Sequence, residues 1–117
     1  MGLTFYRGEQ KTLNINALNG DGTIIALASC SNIIAYFIQN NVIIKKFALV
    51  TEAGYDPLTI DGVITNQYHI TPLQADTLQL VPKLNVFIQT KFFYSDGTKI
   101  ETVTSGIPVI DSPLANE

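Results

Sequence analysis

The chain has 117 residues, of which 46% are hydrophobic and 15% charged, and its formal net charge is −3. A chain of this length fits one domain with one core, and its charged fraction lies below the ~25% typical of soluble domains. The basic residues are scattered apart from Lys45-Lys46, which argues against a nucleic-acid partner. No segment has the ~18 apolar residues needed to cross a bilayer, so we expect no membrane partner either.

Short alternating or β-branched runs separated by turn residues predict an all-β fold. In the first run Leu13 and Ile15 alternate with polar residues, which indicates a half-buried strand, and the Asn-Gly-Asp-Gly sequence at 19–22 predicts a turn after it. Two longer runs then flank Asn40-Asn41, a pair that tolerates the left-handed conformations of a tight hairpin turn. Both flanking runs are apolar on both faces, which favours central strands or strands whose outer face meets another subunit.

Residues 51–62 contain Gly54, Pro57 and Gly62, so they predict a loop around a short edge strand. After another alternating run at 63–70, the sequence Thr71-Pro72-Leu73-Gln74 is typical of a helix start, with Thr71 as N-cap and Pro72 at the first helical position. We therefore expect one short helical turn over residues 72–78.

A long predicted strand follows and turns at Asp96-Gly97, a strong hairpin signal. Gly106 and Pro108 interrupt the returning strand, which indicates an edge or a change of sheet. The whole pattern predicts an antiparallel immunoglobulin-like β-sandwich of about seven to nine strands with one short helical turn. We expect a single domain over residues 1–110 and a loose C-terminal tail over residues 111–117.

The sequence offers little that could carry catalysis. Cys30 is the only cysteine, so it cannot form an internal disulfide and is interpreted as a small buried thiol. His69 is the only histidine and has no apparent catalytic or metal-binding partner, which favours a hydrogen-bonded strand histidine. The aspartates mostly adjoin glycine, proline or threonine, as turn residues do. We therefore predict no enzymatic activity, no metal site and no cofactor.

Aromatic residues are the most informative feature. In the long strand Val86, Ile88, Phe92 and Tyr94 share one face, whereas Phe87, Gln89, Lys91 and Phe93 share the other. Exposed apolar residues of this kind are normal on a domain's own periphery, but a larger apolar patch is usually covered by a neighbouring subunit. The low charge favours the second interpretation, for which the candidate interface residues are Tyr36, Phe37, Phe87 and Phe93.

A different class of function, recognition of a carbohydrate or host-surface ligand, is also open. Sugar sites stack a ring on an exposed aromatic side chain and hold hydroxyl groups with Asp or Asn. Tyr55 and Asp56, in the predicted loop at 51–62, could supply both.

Four patterns follow one another along the chain. They are an aromatic-x-Arg-Gly start at Phe5, Arg7 and Gly8, with Glu9 next; a helical turn with Leu73, Asp76, Thr77 and Leu78; a strand that ends at Asp96-Gly97; and a finish with Thr102, Ser105, Gly106 and Val109. In this order they resemble immunoglobulin-like modules of tailed-phage virion proteins, including the N-terminal domains of baseplate upper proteins. The resemblance spans residues 5–110.

The resemblance implies a structural protein of a bacteriophage particle, made in the host cytoplasm and located in the virion. We expect a capsid auxiliary or decoration protein, with a baseplate or tail adaptor as the alternative. Its partners would be major capsid or baseplate subunits, or further copies of the chain itself.

Overall fold

The structure is a computed structural model that describes residues 5–6, 8, 10–81, 84–104, 106–107 and 109–110. Arg7 and Glu9 of the opening pattern, Ser105 of the final pattern, Pro108 and the predicted tail at 111–117 lie outside the described residues. Within the described part of the chain, no helix is long and apolar enough to span a membrane.

The larger of the two main sheets has five strands. Its order is β5 (Asp56–Pro57), β4 (Val42–Ala48), β3 (Cys30–Gln39), β8 (Val86–Tyr94) and β9 (Lys99–Val103). All neighbours are antiparallel except β4 and β5, which are parallel. The two doubly apolar runs thus form β3 and β4, and β3 is the central strand of the sheet, as predicted.

The second main sheet has three strands in the order β2 (Leu13–Asn16), β7 (Gln67–Ile70) and β6 (Thr59–Ile60), with both pairs antiparallel. A separate parallel ladder joins β1 (Phe5–Tyr6) to β10 (Val109–Ile110). Eight strands in two main sheets, with one helical turn, confirm the predicted all-β sandwich. The immunoglobulin-like part of the prediction stays a prediction.

Both hairpin predictions are confirmed by the backbone. Asn40 and Asn41 have φ angles of 53° and 61°, in the left-handed region, where Asn is one of the few non-glycine residues found often. Gly97 has φ of 93° in the turn between β8 and β9. The chain leaves the larger sheet after Ile107, which pairs with Val86, so of the two predicted outcomes near Gly106, an edge or a change of sheet, the structure has the change of sheet.

The helix α1 (Gln74–Thr77) is one turn long, as predicted, but its start was placed wrongly. Leu73, not Thr71, is the N-cap, and its backbone N–H donates to the carboxylate of Asp76 at 3.0 Å. The Thr71 hydroxyl is instead hydrogen-bonded at 2.8 Å to the hydroxyl of Thr12, the residue directly before β2. A tertiary hydrogen bond therefore replaces the local cap that the sequence indicated.

Residues 51–62 also differ from the prediction of one edge strand. They hold two short strands, β5 and β6, which lie at edges of different sheets. Lys45 holds this region, since its ammonium lies 3.3 Å from Asp56 and 3.9 Å from Asp76 of α1.

The core lies between the two main sheets. Tyr68 of β7 packs edge-on against Phe92 of β8, with ring centroids 5.9 Å apart, and its hydroxyl pairs with that of Thr90 at 2.6 Å. Phe37 is 0% exposed within this core. Its prediction as an interface residue is therefore wrong, because its position on β3 points inward and leaves no surface for a partner.

Candidate interaction surface

Strand register brings the outward side chains of the five-stranded sheet into one surface, which we call the aromatic face. Tyr36 stands between Gln89 on β8 and Lys46 on β4. Lys91 stands opposite Glu101 on β9. The aromatic face comprises Ile34, Tyr36, Ile38, Ile43, Lys46, Tyr55, Phe87, Gln89, Lys91, Phe93, Lys99 and Glu101.

The centre of the aromatic face combines rings with cations. The Lys91 ammonium lies 5.6 Å from the centroid of the Tyr36 ring, and the Lys46 ammonium lies 4.8 Å from that of Tyr55. Both distances are within the range of cation–π attraction. Partial burial and the neighbouring Tyr55 hydroxyl raise the pKa of Tyr36, so its hydroxyl stays protonated at neutral pH. This centre can donate hydrogen bonds and present positive charge beside apolar rings.

One end of the aromatic face is apolar. Ile38 lies directly between Phe87 and Ile43, whose side chains are 38% and 50% exposed. Val42, Val81 and Leu84 are also exposed, and they belong to the same end of the sheet. Contiguous apolar side chains of this kind mark surfaces that bind other molecules more often than isolated ones do.

Buried hydrogen bonds hold that apolar end in place. The Gln39 side chain points inward and is 3% exposed. Its amide group donates to the carbonyl oxygens of Val81 and Leu84 at 2.8 and 3.0 Å, while its oxygen accepts from the Val81 N–H at 2.8 Å. Val81 and Leu84 are therefore fixed to β3 from below the aromatic face.

Three of the four predicted interface residues meet on the aromatic face: Tyr36, Phe87 and Phe93. Phe87 and Phe93 point outward along β8, while Val86, Ile88 and Phe92 point into the core, as the alternation predicted. Tyr55 joins this surface through Lys46. No local pattern indicated that contact, because Tyr55 precedes β5 and reaches the aromatic face only through the pairing of β5 with β4.

The structure separates the proposed ligand pair, Tyr55 and Asp56. Tyr55 contacts Lys46 on the aromatic face. Asp56 turns to Lys45 and lines a groove of about 690 Å³ with Thr12, Pro57, Thr59, His69, Thr71 and Leu73. Tyr55 and Asp56 therefore contact different lysines, Lys46 and Lys45, and are not arranged side by side around one space.

The outward surface of the three-stranded sheet is polar throughout, and we call it the polar face. It consists of Thr12, Asn14, Asn16, Thr59, Gln67, His69 and Thr71, with Asp61 beside it. His69 is hydrogen-bonded at both ring nitrogens, through Nδ1 to Asn14 at 2.7 Å and through Nε2 to Asp61 at 3.0 Å. Gln67 donates to Asn16 at 3.1 Å. These side chains largely satisfy one another.

His69 is thus a hydrogen-bonded strand histidine, as interpreted from the sequence, yet its partners were missed. Asp61 looked like a turn residue, and it does accept the N–H groups of Val63 and Ile64 at 2.9 and 2.7 Å. These N–H groups and His69 lower the pKa of Asp61. In the sequence, the one sign of the Asp61–His69 pair was an aspartate eight residues before a histidine in a predicted strand.

Cys30 is half-buried and not fully buried as interpreted from the sequence, yet this partial burial still raises the pKa of its thiol, which favours the unreactive protonated form. In the part of the chain that the structure describes, no three His, Cys, Asp or Glu side chains are arranged to hold a metal ion.

No protein-family model, curated protein or solved structure matched the chain. Function is therefore inferred from the aromatic face and from the resemblance carried by residues 5–110.

Proposed function

We propose that this chain is a non-enzymatic structural module of a tailed-phage particle, which attaches to neighbouring protein subunits through the aromatic face. A capsid auxiliary role is preferred, and a baseplate or tail adaptor is the alternative location. The observation that carries the proposal is a difference between the exposed side chains of the two sheets, which are polar and hydrogen-bonded on one sheet and partly apolar on the other. The polar face satisfies its own side chains, whereas the aromatic face leaves Phe87 and Ile43 partly in water.

The strand order supports the immunoglobulin-like part of the proposal. Immunoglobulin sandwiches place strands B, E and D in one sheet and C″, C′, C, F and G in the other. Taken as B, C, C′, C″, D, E, F and G in chain order, β2 to β9 give the same order of neighbours, although β4 and β5 are parallel where immunoglobulin sheets are antiparallel. A helical turn between β7 and β8 also stands where the resemblance to virion modules expects one.

The energetics of such a contact are favourable. Full burial of an exposed Phe or Ile side chain contributes ~1.5–3 kcal/mol, and because Phe87 and Ile43 are only 38% and 50% exposed, a partner that buried the exposed part would gain about 1 kcal/mol from each. Ile38, Ile43 and Phe87 lie side by side and could be covered together. Aromatic anchors of this kind usually dominate interface energies.

The test is co-sedimentation of the purified chain with phage particles that lack it. We expect saturable binding, and the saturation ratio would distinguish a capsid position from a baseplate or tail position. Phe87→Ser should weaken binding about fivefold, since that factor corresponds to ~1 kcal/mol.

The matched control is Val63→Ser, because Val63 is 88% exposed but does not belong to the aromatic face. Equal binding by the wild-type chain and the Phe87→Ser variant would contradict the proposed surface. Absence of any particle binding would contradict the virion role itself.

Carbohydrate recognition is less well supported, because Lys46 already covers part of the Tyr55 ring and Asp56 is held by Lys45. Glycan-array binding that is lost in Tyr55→Ala, with particle binding unchanged, would restore that alternative.

A further inference from the structure

The aromatic face is positively charged although the chain is acidic. The described residues of the face include three lysines, Lys46, Lys91 and Lys99, and a single acidic residue, Glu101. The face therefore has a formal charge of +2, whereas the whole chain has −3. Charge concentrated against the overall sign of a chain steers association towards surfaces of the opposite sign.

The lysines differ in how they are neutralised. Lys91 has a carboxylate in reach, since its ammonium lies 3.9 Å from Glu101. Lys45, which directly precedes Lys46 but does not belong to the aromatic face, contacts two carboxylates. Among the described residues, no carboxylate lies within 4.0 Å of the Lys46 ammonium, which instead lies over the Tyr55 ring.

The Tyr55 ring prepares Lys46 for a partner. A cation held over an aromatic face loses some freedom of motion, but an ammonium has three N–H donors and those that point away from the ring remain available to an acceptor. A carboxylate that met this ammonium at a water-poor contact would form a charge-assisted hydrogen bond, which is roughly twice as strong as a neutral one.

We infer that the aromatic face binds an acidic protein surface, in which an Asp or Glu side chain pairs with Lys46 while adjacent apolar side chains cover Phe87 and Ile38. This inference rests on the proposed function, because it concerns the same surface. A second copy of the chain fits less well. Two copies placed face to face would bring lysines against lysines, and the one acidic residue of each face already serves Lys91.

The experiment is a titration of the ¹⁵N-labelled chain, followed by amide chemical shifts, with three synthetic peptides of equal length. The peptides contain the same Phe and Leu residues and differ only in having Glu, Lys or Gln between them. We expect the Glu peptide to shift the amides around Tyr36, Lys46 and Phe87 saturably, with an affinity at least about tenfold higher than that of the Lys peptide. Binding should weaken as salt rises from about 50 to about 500 mM.

Charge-reversal variants complete the test. Lys46→Glu should lose about tenfold in affinity for the Glu peptide, whereas Lys11→Glu changes the net charge equally but lies just before β2 in the other sheet. Equal binding of the Glu, Gln and Lys peptides at the aromatic face would overturn the acidic partner but keep the surface. Failure of all three peptides to shift that face would count against the proposed function as well.

Discussion

The outward faces of the two sheets differ in how their side chains are stabilised. On the polar face, amide, hydroxyl and imidazole groups pair with one another, as in the Asn14–His69–Asp61 chain. On the aromatic face, cations lie over rings, and apolar side chains such as Phe87 remain partly exposed. The polar groups of the first surface form hydrogen bonds with one another or can form them with water. The second would gain free energy from a covering molecule, because apolar area in water is unfavourable.

This contrast lies in exposed apolar side chains and not in charge, since the aromatic face also carries Lys46, Lys91, Lys99 and Glu101. Antiparallel sandwiches commonly have one face of each sheet packed in the core and the other solvated, and the solvated faces are usually polar or charged. Here only the smaller sheet follows that pattern in full. We therefore expect variants to have unequal effects on the two surfaces.

The largest expected effect separates the aromatic face from the core beneath it. Phe37 is fully buried, and its neighbour Tyr36 points outward on the same strand. Phe37→Ala should lower the free energy of unfolding by about 3–5 kcal/mol because it opens a cavity, whereas Tyr36→Ala should cost about 1 kcal/mol or less. Urea denaturation of both variants measures this difference. Similar losses would mean that the outward side chains carry stability rather than binding.

The next effect concerns the support of the apolar end. Gln39→Ala removes three hydrogen bonds and leaves the backbone groups at Val81 and Leu84 without that partner, so we expect a loss of about 2–4 kcal/mol. Gln89→Ala, on the aromatic face, is the matched control and should cost no more than about 0.5 kcal/mol. Hydrogen exchange at Val81 should accelerate in Gln39→Ala alone. An unchanged exchange rate would show that the loop is held by other contacts.

The third prediction concerns the core between the two sheets, and it is a dependence of the unfolding free energy on pH. Burial raises the pKa of Tyr68 from 10.0 to about 12, although the hydrogen bond with Thr90 acts in the opposite direction. Above pH 10 the unfolded chain loses this proton and the folded chain keeps it. The contribution of Tyr68 is thus fully present below pH 10 and is lost as pH rises towards 12, by about 2–3 kcal/mol in total.

Tyr68→Phe has no proton to lose at this position, so its unfolding free energy should fall less between pH 10 and pH 12 than that of the wild-type chain. Tyr36→Phe, which leaves Tyr68 intact, should retain most of the wild-type slope. Denaturation at several pH values in this range gives both slopes. Identical slopes for the wild-type chain and Tyr68→Phe would place the alkaline sensitivity elsewhere.

The smallest effect tests the polar face. The pKa of Asp61 is lowered below 3.8, mainly by the backbone N–H groups of Ile64 and Val63 and further by His69. Its stabilising contribution is therefore present above pH 3.8 and is lost as pH falls through its folded value. Asp61→Asn should make stability less sensitive to acid, by a small amount because the carboxylate is solvated.

Thermal unfolding at neutral and acid pH measures this change. Asp21→Asn is the control, because Asp21 also bonds its own turn, through Thr23, but does not contact a histidine. Amide shifts at Tyr36 should be unaffected by either variant. A change in the Tyr36 amide shift in Asp61→Asn would contradict the independence of the two faces, since they would then be coupled through the core.

Local signals were the reliable part of the sequence. Asn40-Asn41 and Asp96-Gly97 predicted their hairpins because few residues accept a positive φ, and that restriction acts within the turn itself. Alternation along residues 86–94 predicted which side chains face inward, because the side-chain period of a strand is two. Thr71 misled as an N-cap because the Thr12 hydroxyl, distant in sequence, competes for it.

The sequence by itself determined that the chain is an all-β domain with these hairpins, since turn chemistry and strand periodicity are properties of neighbouring residues. Only the tertiary structure decided that Phe37 is buried, that Tyr55 contacts Lys46, and that Asp61 holds His69. A run that is apolar on both faces does not reveal which face is covered. That depends on which strands pair and which sheet packs against them, and these contacts join residues far apart in the chain.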